Sequence, residues 1–264
     1  MLKLISWNVN GLRAVHRKGL FLEWLAATQP DILALQETKC HPDQLPPEVR
    51  QPDGYMTYWA SAERPGYSGV ALYTRRAPLS VQIGLGSDDY DREGRTLVAD
   101  FGDFVLINAY FPNGGRDHAR VPFKMRYKAD FLTTCNNLRA AGRAVVFCGD
   151  VNTSHQDIDL ARPRQNRNTT GFLPEERAWM TKLLGAEPDG GLVDVYRRLQ
   201  PETTDACYTW WSNRGQAYAN NVGWRLDYHL ATPQLAELAR SEAIYKGEKF
   251  SDHAPITVGY DLVL

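Results

Sequence analysis

SWNVNG (6–11) and CGDVNT (148–153) are the two stretches on which the fold turns. Each ends a run of β-formers, LKLISWN in the first half and AVVFCGD in the second, with a pair of polar residues. Two such strand ends imply two sheets packed face to face, because the strands around them are too many and too apolar for one modest sheet. The expected architecture is an α/β fold, a four-layer α/β/β/α sandwich of two packed mixed sheets flanked by helices, in a single domain over residues 1–264.

Working outward, DILALQ is a short continuous apolar run, as a strand covered on both faces should be. YMTYWAS, SGVALYTR, RTLVADF and FVLINAYF follow so closely that hairpins and antiparallel pairing are expected rather than strict strand–helix alternation. YTWWS, WRLDYHLA and PITVGYDLVL complete the strands. GLFLEWLAAT carries a helical apolar face that stops at Pro30. From Phe123 to Ala141, Tyr127, Phe131, Cys135 and Leu138 recur at helical spacing. LPEERAWMTKLLG reads as another helix, with Pro174, Glu175 and Glu176 in its first turn. The Pro- and Gly-rich HPDQLPPE and EPDGG are short and read as loops, not linkers.

A net charge of −1 excludes a uniformly basic nucleic-acid binder. Phosphate binding would rest on local patches: Arg116, Arg120, Lys124, Arg126 and Lys128 crowd one segment, and Arg162, Arg164 and Arg167 another. Such clusters are most often solvated faces. Cys40, Cys135, Cys148 and Cys207 lack the spacing of a zinc site, and Cys135 and Cys148 sit in apolar runs as small hydrophobes. No stretch is long and apolar enough for a signal peptide or a membrane span, so a reduced cytosolic compartment is expected. His16, His41, His118 and His155 show no partner pattern.

The chemistry lies at the strand ends, in LQETK (35–39), CGDVN (148–152) and SDHAP (251–255). One acidic residue there is usually a turn former; several together fit metal-assisted phosphate chemistry. Glu37 offers a hard oxygen ligand and, with Asn10 or Asp252, the sparse site Mg²⁺ prefers. Asp150 is placed to orient or deprotonate a water, and Asn152 to donate to a phosphate oxygen. His253, given a bond from Asp227, becomes an oriented imidazole able to hold or protonate phosphate. Tyr110 offers a phenol that stabilises developing charge, while Asn8 reads as a turn residue.

ISWNVNGLRA (5–14), LQETK, GYSGVA (66–71), YFPNGGR (110–116), CGDVN, GFLPEER (171–177), NVGWRLDY (221–228) and SDHAP together resemble the exonuclease III family of apurinic/apyrimidinic endonucleases, almost end to end. CGDVN and SDHAP also suit sphingomyelinase or inositol-phosphate phosphatase relatives; GFLPEER and NVGWRLDY are specific to the DNA repair branch. The resemblance implies hydrolysis of the DNA backbone 5′ to an abasic sugar, dependent on Mg²⁺ or Mn²⁺, with 3′ to 5′ exonuclease and 3′-end-unblocking activity. By position, Glu37 is the metal ligand, with Asn10 and Asp252 close by. Asp150 prepares the nucleophile, Asn8 and Asn152 hold it and the phosphate, and Tyr110 and the Asp227–His253 pair contact the scissile phosphate. Trp210, Trp224 and Leu226 wall a pocket for a flipped, baseless sugar, with Thr169 beside it. Arg116 fills the gap left in the duplex and Tyr67 touches the backbone; Arg13, Lys39, Arg120, Lys124 and Asn166 complete the DNA contacts. The implied partner is double-stranded DNA with abasic sites or blocked or recessed 3′ ends, bound by a cytoplasmic, nucleoid-associated monomer.

The chain departs from the family pattern at Thr169, where many relatives have Asn, at Asn10, where some have Asp, and at His229, where an apolar residue is usual. These bear on the balance of endonuclease and exonuclease activity. A dedicated 3′ to 5′ exonuclease or 3′-phosphodiesterase is the alternative within the family. A lipid or inositol phosphate phosphodiesterase would need a membrane-facing apolar loop, which the sequence lacks. A DNA-binding module with a dead site would require loss of Glu37, Asp150, Asp227 or His253, and all four are present.

Overall fold

LKLISWN and AVVFCGD form central strands of two separate sheets. The computed structural model describes residues 1–186 and 190–263, so most of the EPDGG loop and Leu264 lie outside the described residues. In chain order the first strands are β1 (Leu2–Asn8), β2 (Ile32–Gln36), β3 (Met56–Ala60), β4 (Val70–Thr74), β5 (Ser80–Ile83), β6 (Thr96–Asp100) and β7 (Val105–Tyr110). They are followed by β8 (Val145–Asp150), β9 (Val193–Asp194), β10 (Trp210–Trp211), β11 (Gly223–Trp224), β12 (Asp227–Ala231), β13 (Ala239–Ile244) and β14 (Ile256–Tyr260).

One sheet runs β13-β14-β1-β2-β4-β3, the other β5-β6-β7-β8-β12-β9, and β10 pairs with β11 at the cleft. The echo between the two motifs is spatial as well as sequential. β1 lies between parallel β2 and antiparallel β14, and β8 between parallel β7 and antiparallel β12. The expected hairpins are present in β3–β4 and β5–β6–β7, but both sheets are mixed. Helices Phe21–Thr28 and Val121–Ala140 lie in the connections that return the chain parallel to itself, which no hairpin can do.

Strand alternation distributes the apolar residues over three layers of core. Leu4, Ile32, Leu72, Leu106, Val146 and Ala231 meet between the sheets. Trp7, Leu33, Leu35 and Tyr73 face helices that supply Leu12, Phe21, Trp24 and Leu25. On the other side Ile107, Phe147 and Leu230 face Tyr127, Phe131, Trp179 and Met180 from helices Val121–Ala140 and Pro174–Leu183. Cys135 and Cys148 are core residues as expected, and all four cysteines are free and buried.

The apolar seam has one polar staple near the site. Gln36 Nε2 donates to Asn108 Oδ1 at 2.8 Å, and Asn108 Nδ2 donates to the carbonyl of Ala71 at 2.9 Å. Breaking either bond strands a buried polar group, so the pair fixes how the sheets align. Strands β5 and β13 are sheet edges that escape the sequence reading; SVQI alternates but is only four residues long, and ARSEAI carries no clean period-two pattern. No described helix is long and apolar enough to cross a membrane.

Candidate active site

Register brings the chemistry to one edge of the sandwich. Asp150 ends β8 and stands directly opposite Tyr110 on β7 and Asp227 on β12, so three functional side chains lie abreast on adjacent strands. From the facing sheet, Asn8 ends β1 and Glu37 follows β2. Asn10, Glu37, Lys39 and Asn152 all take left-handed backbone, with φ of 45°, 50°, 52° and 51°. That conformation is uncommon for residues with a Cβ and clusters where a fold over-determines it at a functional site.

Asn8, which the resemblance puts among the site residues although alone it reads as a turn residue, is buried and central. Its Nδ2 donates to Glu37 Oε1 at 3.0 Å and to Asp150 Oδ2 at 2.8 Å. The other Asp150 oxygen accepts the backbone N–H of Asn152 at 2.7 Å. His253 bonds Asp227 Oδ2 through Nδ1 at 2.8 Å and points Nε2 to within 3.8 Å of Asp150 Oδ2. Thr209 Oγ1 donates to the same Asp227 oxygen at 2.6 Å.

Burial raises the Asp150 carboxyl well above the usual carboxylate range, although the charge of His253 works against it. Burial would also lower His253, but the facing charges of Asp227 and Asp150 outweigh it, so the ring is held as imidazolium at neutral pH. Tyr110 is raised well above its ordinary value, first by burial and then by the Glu37 charge, so its phenol keeps its proton.

The donor set suits a hard divalent cation. Glu37 and Asp150 bring carboxylate oxygens to within 4.8 Å of each other and of the His253 ring; the imidazolium has no lone pair to give, so the donors are the oxygens. Lys39 Nζ lies 2.9 Å from Glu37 Oε2 and against Asn10 Oδ1, so a positive group already sits among these oxygens. Asn10 Nδ2 bonds Asp252 Oδ1 at 2.9 Å, which brings the second carboxylate to the group. Burial would raise Asp252, but His253, Asn10 and Trp210 hold it low and ionised.

Beside this cluster opens a cleft of about 360 Å³, lined by Asn152, Thr169, Gly171, Trp210, Trp224 and Leu226 as well as by Glu37, Tyr110, Asp252 and His253 of the cluster. Trp210 and Trp224 pair across β10 and β11 with their rings nearly perpendicular, 6.3 Å apart. A larger hollow of about 670 Å³, at Arg13 and Lys39, adjoins it and is in turn bordered by one of about 560 Å³ at Tyr67, but the converging polar groups belong to the smaller cleft.

A model of the endonuclease/exonuclease/phosphatase family matches residues 5–253. The chain belongs to that family. It is 40% identical to an exodeoxyribonuclease of Bacillus subtilis, over 97% of this chain and 98% of that one. It is 42% identical to the DNA repair nuclease APEX1 of Danio rerio, over 97% and 81%. Among solved structures, an AP endonuclease from Archaeoglobus fulgidus superposes with a TM-score of 0.87 at 30% identity, covering 99% of this chain and 100% of that one. A Neisseria 3′ phosphatase bound to a product DNA hairpin gives 0.88 at 30% identity, with the same coverage. The protein is thus a hydrolase of the exonuclease III and AP-endonuclease type, within a family of divalent-metal-dependent enzymes.

Within this endonuclease/exonuclease/phosphatase frame, one expected DNA contact is corrected. Lys124 is fully buried; its Nζ is 2.6 Å from Glu176 Oε1 and donates to the Asn152 carbonyl at 2.6 Å. An ammonium so placed cannot meet a phosphate. Lys128, from the same expected surface patch, is also buried, bonding Thr153 and lying 4.6 Å over the Trp179 ring. Arg116 is exposed, and Arg120 is half-exposed and paired with both oxygens of Glu93 at 2.9 Å. Arg13 reaches the Lys39 carbonyl, and Asn166 accepts from Thr169 Oγ1 at 3.2 Å, tying that turn to the cleft.

Sequence reasoning missed the residues that hold these groups. Arg95, buried at the start of β6, donates to the Tyr110 carbonyl at 3.0 Å and to the Tyr67 hydroxyl at 2.8 Å. Glu176 of GFLPEER accepts from Thr170 and from the Leu173 backbone, so the motif fixes the cleft wall. Arg225 of NVGWRLDY is buried between Asp159, 2.9 Å away, and Asp194, 2.6 Å away, which fixes its neighbours Trp224 and Leu226 on the cleft side. Specific motifs with a charged residue inside an apolar run were the available signal.

Proposed function

We propose that the protein is a DNA repair nuclease that hydrolyses the backbone 5′ to an abasic sugar, leaving a 3′-hydroxyl, and that trims or unblocks 3′ ends. The observation that carries this reading is the junction of the strand-end cluster with the Thr169, Trp210, Trp224 and Leu226 wall in one cleft. A slot lined by two tryptophans and a compact threonine suits a flipped sugar without a base, and extrusion costs least where stacking is already lost.

In this reading Glu37, with Asn10 and Asp252, holds Mg²⁺, with Mn²⁺ as a substitute. An ion held there would supply positive charge against the phosphate. Asp150, held by Asn8 and the Asn152 backbone, orients the attacking water and takes its proton; its raised pKa suits a base near neutrality. The His253 imidazolium, anchored by Asp227, and the protonated Tyr110 phenol donate to the phosphate oxygens. Asn8 and Asn152 keep the reacting carboxylate in place. Arg116 fills the gap in the duplex, while Arg13, Lys39, Tyr67, Arg120 and Asn166 lie on the path of the backbone. Residues 1–264 act as one catalytic domain and a monomer, in the cytoplasm at the nucleoid; four buried free cysteines accord with a reducing compartment.

A dedicated 3′ exonuclease is the second reading, favoured by the likeness to the Neisseria 3′ phosphatase and to a Neisseria 3′–5′ exonuclease at a TM-score of 0.88. Labelled duplexes with one internal abasic analogue, or with a recessed 3′ end, separate the two when incubated with and without Mg²⁺. Cleavage at the abasic analogue is expected. Trimming alone would select the second reading.

A further inference from the structure

Asp227 and His229 stand two residues apart on β12, so both side chains leave the same face of the strand, the face toward the seam between the sheets. Asp227 commits one oxygen to the catalytic network. Its Oδ2 takes the bonds to Thr209 and His253, whereas its buried Oδ1 has no protein partner. A carboxylate bonded through one oxygen is still free to swing about it. Both ring nitrogens of His229, which is 2% exposed, are also buried, and neither makes a well-formed hydrogen bond, although the Ile256 backbone lies near enough to act on the ring.

The two residues line a common cavity of about 20 Å³, together with Thr209, Arg225, Glu242 and Ile256. One water needs roughly 10–15 Å³ by this measure. Side chains two residues apart on a strand are separated by about 7 Å, too far for a direct bond. Two hydrogen bonds through a single water span about 5.6 Å.

We propose that one buried water bridges His229 and Asp227 Oδ1, and that His229 thereby acts as a positioning residue that fixes the plane of the Asp227 carboxylate against His253. Burial drives the His229 pKa down to about 3, opposed by the Ile256 backbone, so the ring is neutral and keeps one N–H and one lone pair, either of which can meet a water. The kinetic consequence rests on the nuclease reading above; the geometric one does not.

The test compares the parent with His229→Leu, His229→Asn and His229→Gln, using His229→Phe in place of the leucine variant should that fail to fold. The first readout needs no DNA: the far-downfield proton resonance of the His253 Nδ1–H bonded to Asp227. The second is kcat and KM on the abasic duplex. His229→Leu should shift or broaden the resonance and lower kcat roughly 10-fold, as loss of one hydrogen bond to a charged group does, with KM changed less than about two-fold. At least one of the two amide variants should restore both. An unmoved resonance and rate in His229→Leu would make His229 plain core filling. Equal losses in all variants would make packing the cause, and either result overturns the proposal. A parent inactive on abasic DNA would remove the nuclease reading and leave the resonance to decide this one.

Discussion

Asn8 Nδ2 donates to Asp150 Oδ2 at 2.8 Å, and so joins the two sheets where their central strands end. Neither sheet holds the proposed reacting groups alone. β1 and β2 bring Asn8 and Glu37; β7, β8 and β12 bring Tyr110, Asp150 and Asp227; the segment before β14 brings Asp252 and His253. The geometry of the cluster is therefore a property of how the sheets pack, and a rigid core supports it.

Asp150→Asn and His253→Asn should each lower the single-turnover rate on an abasic duplex by about 10²- to 10⁴-fold, the range for a positioned acid or base. Binding of the duplex should largely survive. Either variant cleaving within a few-fold of the parent would remove that residue from the chemistry.

Glu37→Gln should raise the Mg²⁺ concentration for half-maximal rate by roughly 10-fold or more, since even outer partners of a metal site cost that much. Chelator should abolish cleavage by the parent. A metal titration unchanged by the substitution would place the ion elsewhere.

Lys124→Ala should cost about 3–5 kcal/mol of stability, because it removes the ion partner of the buried Glu176 carboxylate, and should not alter the salt dependence of DNA binding. Arg116→Ala should do the reverse, reducing the slope of log K against log salt by about one. Urea titrations and binding isotherms at several salt concentrations check both. A flattened slope in Lys124→Ala would show the lysine reaching phosphate.

Asp159 links the pocket wall to acid stability. Burial opposes its charge, but Arg225 and Arg197 overcome this and hold its pKa at about 2, below the ordinary 3.8. A folded-state pKa below the unfolded one gives stability that is full above about pH 4 and fades as pH falls toward 2. Asp159→Asn should be less stable than the parent at pH 6, and the gap should narrow by about 1 kcal/mol by pH 3. Urea unfolding at each pH measures this; a gap that widens on acidification would contradict the assignment.

The strand ends were legible because this chemistry requires polar groups just past apolar runs, as at Asn8, Glu37 and Asp150. What was not legible is pairing across long separations. Nothing local tells that Thr209 bonds Asp227 or that Arg95 bonds Tyr67 and Tyr110. Lys124 was misread as surface, although its spacing held the answer: Lys124 and Lys128 each lie three residues before a core aromatic, Tyr127 and Phe131, on the buried stripe of helix Val121–Ala140. A buried ammonium is costly enough that composition argued for solvent, and the compensating Glu176 lies 52 residues away. The edge strands were missed for different reasons: β5 alternates but is only four residues long, and β13 lacks apolar alternation, which an edge in water does not need.

The central claim is hydrolysis of the phosphodiester 5′ to an abasic sugar at this cluster. It is tested most directly by mass spectrometry of the products formed from a duplex with one abasic site in ¹⁸O-labelled water and Mg²⁺. The account predicts a 3′-hydroxyl on one fragment and, on the other, one ¹⁸O in the 5′ phosphate attached to the baseless sugar. An unsaturated aldehyde at the 3′ end without ¹⁸O in the phosphate would mean elimination instead of hydrolysis, and would contradict the roles given to Asp150 and His253.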